Sequence, residues 1–440
     1  MNNNKQTNIL KAFFYRKSLK RTKFLQGFWS VYFFFLCFSV SAQTIFRTQT
    51  LSPDIKTLQV NLSEALVLPI LELRGSDALT IQFDEMSHNI RSYSYRVLHC
   101  NADWTVSQLN SVEYLQGFPT GIISEYATSR ATTHNYTNYR FSIPNSDMTF
   151  TKSGNYVVQI YEDAEIEKPV AQVCFYIVEP HVKISATIRG NTDTELNNRM
   201  QQLDFELDLK GYRANNPQEE LTIVVRQNNR IDNEVSGIKP TFMRGNILSY
   251  INNRALIFEG GNEYHRFDIS SVYSGSNQID RIEYNRTSYD AFLYENRIQP
   301  SRFYVSERDL NGRFIINLQE AHFDLNTEAD YINVHFSIPR NEPFFDGQIY
   351  IGGEYNHNLL NKNSQMQYDF NSGRYFKTLL LKQGGYNYQH WFFPQGGQRA
   401  SVERIDGSFW QTRNEYTIYV YHRPWGGRYD MLVGVETFEN

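Results

Sequence analysis

"LDFELDLKGY", Leu203 to Tyr212, alternates apolar and polar residues: Leu203, Phe205, Leu207 and Leu209 against Asp204, Glu206 and Asp208. Successive side chains of a β-strand point to opposite faces, so this stretch reads as a strand with one buried face and one wet face. The same period of two recurs outward from it. In "VAQVCFYIVEP", Val173, Phe175 and Ile177 share one face, and Gln172, Cys174 and Tyr176 share the other. "ELTIVVRQNNRIDN" is a strand broken by an Asn-Asn turn, and "RFIINLQE", "DYINVHFSIP", "GQIYIGGEY" and "NEYTIYVYHRP" continue the pattern. Convincing amphipathic helices are lacking, and Gly, Asn, Asp and Pro clusters punctuate the chain about every 10 to 15 residues. Many short strands with such turns predict an all-β protein of tandem immunoglobulin-like β-sandwich domains. An outer-membrane barrel would alternate over ~10-residue segments, and several strands here are shorter than that.

Boundaries follow from the punctuation. Pro180, after "YIVE", ends an N-terminal unit of residues 43–180. "HVKISATIRGNTDTELN" opens a middle sandwich of residues 181–310, and "PSRFYVSERDLN" leads into a C-terminal Ig-like unit of residues 311–440. "FTKSGNYVVQIYED" and "LKQGGYNYQHWFF" echo one another, each with a glycine before an aromatic-rich strand, as related modules would have.

The N-terminus addresses the compartment. Residues 1–23 carry seven Lys or Arg and no acid, then "FLQGFWSVYFFFLCFSV" is apolar and ends at "VSA". A basic region, an apolar core and small residues at −3 and −1 predict a secretory signal over residues 1–42, cleaved between Ala42 and Gln43. The apolar run is shorter than the ~20 residues that a spanning helix needs, so no direct membrane span is expected. Losing seven cations takes the net charge from −4 to −11. An acidic chain is not expected to bind nucleic acid, which selects basic surfaces.

Chemistry concentrates in "HCNADW", His99 to Trp104. His99 and Cys100 are neighbours on the strand "RSYSYRVLHCN" and so diverge, with Tyr93, Tyr95, Val97 and His99 on one face and Arg96, Leu98 and Cys100 on the other. A nucleophilic cysteine needs a base within reach. Cys100 therefore reads as a small core hydrophobe, Asn101 and Asp103 as turn residues bonding backbone amides, and Trp104 as a plug over the sheet. Cys100 and Cys174 are the cysteines of the mature chain. In an oxidising compartment they could pair. The Cys…Trp…Cys order of an Ig sandwich needs its Trp roughly midway, whereas Trp104 follows Cys100 closely, so the reading favours two buried thiols. "GGNEYH" (Gly260–His265) and "GGEYNH" (Gly352–His357) invite a metal reading, and Glu263 and His265 share a strand face. Two ligands do not make a zinc site, so no metal and no cofactor is expected. HExxH, GxSxG and Walker patterns are absent from the sequence, so no enzyme is expected.

The C-terminal third is similar in layout to Ig-like carbohydrate-binding modules of α-glucan enzymes. That resemblance implies aromatics for sugar stacking, with Trp391, Trp410 and Trp425 as candidates. The loop after "IGGEYN" runs His357-Asn358-Leu359-Leu360 where such modules often carry a Trp, which counts against sugar binding. Three further stretches, "YRVLHCNADWTVSQLNSVEYLQGF", "FEGGNEYHRFDISSV" and "GRYFKTLLLKQGGYNYQHW", resemble in order and spacing the type IX secretion system plug proteins of Bacteroidota. The resemblance implies a periplasmic, non-enzymatic protein. Its partner would be the giant outer-membrane β-barrel translocon, docked and occluded on the periplasmic side, with loop tips at Ser107–Gly121 and Asn191–Met200 as candidate contacts. The alternative is a periplasmic or surface glycan-binding protein.

Overall fold

Among the described residues, strands hold 48% and helices 6%, with several antiparallel sheets and no barrel, so the fold is all-β. The computed structural model describes residues 44–440 except 63–65, 88, 164–167, 194–197, 277, 299–302 and 321–322. The signal segment, the Ala42–Gln43 junction and part of Asn191–Met200 lie outside the described residues.

The sheets pair into three sandwiches. In the first, the sheet of Ile55–Leu62, Leu79–Glu85, Thr137–Ile143 and Glu125–Thr128 faces a sheet centred on Gly154–Glu162, flanked by Tyr93–Cys100 and Pro169–Val178. Ile81, Phe83, Tyr95, Val97, Val158 and Phe175 meet between them. In the second, Met200–Asp208 pairs with Lys183–Arg189 and Ile247–Tyr250. Leu203, Phe205, Leu207 and Leu209 all enter its core, while Asp204, Glu206 and Asp208 stay at least partly exposed. The facing sheet joins Leu221–Gln227 to Glu415–His422 and Met431–Glu439. Residues 415–439, assigned by the sequence to the C-terminal unit, thus complete the second core, where Tyr416, Ile418 and Val420 pack. The third sandwich lies between, with strands running from His265–Asp268 to Gly384–Pro394. The chain therefore crosses from the second sandwich to the third and back again. Sequence neighbours usually pair, and the linear pattern carries no sign of this return.

Gly154 and Gly384 open the central strands of the first and third sandwiches with φ +141° and +156°. A Cβ on Gly384 would stand 2.1 Å from the Ile315 carbonyl oxygen, and one on Gly154 would stand 2.6 Å from His99 Nε2. The echo between the two sequences thus marks equivalent positions: a glycine that lets a neighbouring element close over the strand.

Candidate functional site

The "HCNADW" turn lies where the first sandwich meets the second. His99 and Cys100 lie on opposite faces of their strand. His99 enters an aromatic cage, with ring centroids 4.9 Å from Tyr156 and 5.3 Å from Tyr429. Its Nε2 lies 3.2 Å from the Ser153 carbonyl oxygen, and burial pushes the imidazole down to about 4. Asp103 Oδ1 accepts from the Thr105 amide at 3.0 Å and Asn101 Nδ2 donates to Thr105 Oγ1 at 3.2 Å, which closes the turn. Trp104 sits at φ +64°, a conformation that an L-residue holds only when its surroundings impose it. Those surroundings are Tyr176, edge-on at 5.2 Å, and Tyr419 stacked on Tyr176 at 4.7 Å.

Cys100, Trp104, Cys174 and Tyr176 from the first sandwich therefore share an apolar cluster with Val224, Tyr419 and Tyr421 from the second. Cys100 lies on the docking face and not in the sandwich core. Both cysteines are free and buried. Cys100 stands opposite Asn155 and Cys174 opposite Val157, on either side of one strand. Two strand spacings, about 9.6 Å, exceed the ~7 Å Cα separation that a disulfide tolerates, so the thiols cannot pair in this fold. Burial pushes the Cys174 thiol up to about 12.

Polar contacts surround this seam. Arg226 Nη1 donates to Tyr176 OH at 2.7 Å and Tyr421 OH donates to Asn155 Oδ1 at 2.8 Å. Asp430 accepts from the Ala102 amide at 2.9 Å and from Arg423 Nε at 2.8 Å.

A second seam joins the first sandwich to the third. Lys382 Nζ lies 2.7 Å from Asp84 Oδ2, both side chains being all but fully buried. Tyr331 OH and Asn138 Nδ2 each donate to Asp84 at 2.7 Å. Lys382 also donates to the Asn326 carbonyl at 2.7 Å and stands 4.3 Å from the centroid of the Tyr136 ring. Asp330 accepts from the Thr133 and His134 amides at 2.7 and 3.1 Å. A third seam ties the second sandwich to the third through Arg313, which meets Glu415 with both terminal guanidinium nitrogens.

Each sandwich is thus docked on both others, and they enclose a cleft of about 1130 Å³. Its lining draws on all three, including Trp104 and Tyr176, Arg226 and Glu234, and Glu354 and His357. His357 of "GGEYNH" is half-buried there. Glu263 turns away to Tyr304 and the Arg413 amide, while His265 meets Asp406. The candidate sugar platform does not assemble. Trp391 is fully buried beneath Arg230, Trp410 is half-buried against Gly190, and Trp425, at the cleft rim, is exposed. Ser107–Gly121 holds a helical turn at Ser111–Tyr114 followed by the strand Leu115–Gly117, and it leads into Thr120–Ile123; it presents Val112 and Phe118 to solvent. No helix among the described residues is long and apolar enough to cross a membrane.

Three sandwiches welded by buried seams define a multidomain β-sandwich protein held as one body. Residues 55–179 match the family described as type 9 secretion system plug protein, 1st domain. The chain belongs to the type IX secretion system plug family. It is also similar to a solved structure, a hypothetical protein from Parabacteroides merdae, at 41% identity and a TM-score of 0.88, over 90% of this chain and 100% of that one. No curated protein matches the chain.

Proposed function

We propose that this protein is a non-enzymatic periplasmic plug. It docks on the periplasmic opening of the outer-membrane type IX translocon and occludes it while no cargo is engaged. Wide membrane barrels enclose an aqueous lumen that stays open unless something fills it, and a plug must hold its own shape to keep one closed. The observation that carries this reading is the buried Asp84–Lys382 seam. It holds the first sandwich to the third while each is docked on the second, an arrangement that resists hinge motion between them. Exposed Val112, Phe118 and Ile122 are the proposed contacts with the barrel. An interface of ~1,600 Å² spans μM to pM affinity, which suits a plug that binds and leaves.

The test is purification from native envelopes in mild detergent, with the translocon barrel expected to co-purify. Cells lacking the protein should also admit large solutes that intact envelopes exclude. A barrel that never co-purifies, together with an unchanged permeability, sinks the proposal.

A further inference from the structure

Among the described residues, His265, His390 and Asp406 place one ligand atom each within 4.8 Å of one another. We propose that these three side chains bind a zinc-class divalent cation and staple the two chain crossings between the second and third sandwiches.

Position is the first argument. His265 begins the first strand after the outward crossing, and Asp406 ends the helical turn Glu403–Asp406 just before the return. His390 lies on Gly384–Pro394, two residues beyond Tyr388, the partner of His265 in the ladder. The crossings run side by side: the Phe409 amide donates to the Gly261 carbonyl at 2.8 Å and the Gly261 amide to Ser408 Oγ at 3.0 Å. A cation here would tie the start of the third sandwich to two segments at its end, His390 and Asp406 lying more than a hundred residues beyond His265.

Unsatisfied chemistry is the second. His390 is fully buried, and neither ring nitrogen has a hydrogen-bond partner; Asp406 Oδ2 lacks one too. These partnerless atoms face each other, His390 Nδ1 standing 3.9 Å from Asp406 Oδ2, which is beyond hydrogen-bond range. A neutral imidazole carries one N–H, so the apo cluster buries an unmet donor, which native interiors rarely tolerate. A cation between them turns both lone pairs into bonds. His265 Nε2 already stands 3.0 Å from Asp406 Oδ1.

Size and ligand type are the third. Ligands ~2.0–2.1 Å from a tetrahedral zinc sit about 3.4 Å apart. The two measured separations bracket that value, so small side-chain rotations suffice. Two imidazoles and a carboxylate suit zinc; calcium and magnesium prefer all-oxygen sets. His265 is partly exposed while the other two are buried, which leaves its side open for a water as fourth ligand.

The test uses the tag-free chain. Purified with zinc and desalted, it should retain ~1 molar equivalent of zinc by elemental analysis. Chelation should lower its melting temperature, and added zinc should restore it. His390→Gln and Asp406→Asn should lose the equivalent; Asp406→Asn keeps an acceptor for His265, so it separates ligation from folding. No retained zinc, or full retention in both variants, overturns the proposal. Should the variants fail to fold, crystals of the parent grown with zinc decide. An anomalous peak between the three side chains supports the site, and its absence overturns it.

Discussion

Lys382→Met asks whether the first and third sandwiches are welded or merely adjacent. Methionine keeps roughly the volume of the lysine stem and removes its charge. Three contacts disappear: the ion pair with Asp84 at 2.7 Å, the bond to the Asn326 carbonyl at 2.7 Å, and the cation 4.3 Å from the Tyr136 ring. Asp84 is left buried and charged, with Tyr331 and Asn138 still donating to it. Removing one partner of a buried ion pair costs about 3–5 kcal/mol, far more than an exposed pair is worth. The two surviving donors place the expected loss near the lower end, about 3 kcal/mol. Asp84→Asn with Lys382→Met removes both charges, and its stability should return to within ~1 kcal/mol of the parent, because an uncharged seam leaves no buried ion stranded. Guanidinium unfolding of the full chain gives the magnitude. Native-state hydrogen exchange at Leu79–Glu85 and Tyr331–Pro339 locates it, and both strands should open more readily in the single variant. A single-variant loss below ~1 kcal/mol, the value of a surface pair, would refute the reasoning, and so would a double variant as unstable as the single one. Cells carrying Lys382→Met should leak large solutes more than cells carrying the double variant.

Three further outcomes follow from the same structure. Both Cys100 and Cys174 should be alkylated only after denaturation, and intact mass measured without reductant should show two free thiols; a bridged species would overturn the strand geometry given above. Between pH 6.5 and about 4, the unfolded chain takes up a proton at His99 that the folded chain refuses, so stability falls as pH falls, by up to ~3 kcal/mol for this group; His357, pushed down to about 4 by burial, shares that window, and His99→Gln should make the fall shallower in pH-dependent denaturant titrations. Trp391→Ala should cost ~3–5 kcal/mol in thermal or chemical unfolding, whereas Trp425→Ala should change stability by no more than ~0.5 kcal/mol.

Some of the molecule was legible in its alternation. Leu203, Phe205, Leu207 and Leu209 enter one core, Val173, Phe175 and Ile177 another, and His99 parts from Cys100 as a strand requires. The Asp103 turn followed from local chemistry. Missed were the partners of the other strand face. Asp84 is flanked by core-facing Phe83, and Lys382 by Leu381 of the third core. Their parity therefore reads as solvent-facing, and no local pattern distinguishes a wet face from a docked one. His265 was visible as one ligand of two in "GGNEYH"; His390 and Asp406 lie more than a hundred residues away and carry no matching spacing.

By itself the sequence determined the strand period, which residues share a face, and the all-β class, because backbone geometry and local sterics act between near neighbours. Only the tertiary structure decided what each outer face meets. The third sandwich interrupts the second, Glu415–His422 returns to pair with Leu221–Gln227, and the first sandwich is thereby held against both. Cys174, Tyr176, Asp84 and Lys382 are buried because whole sandwiches dock there, and docking depends on the fit of complete surfaces that no short stretch of chain encodes.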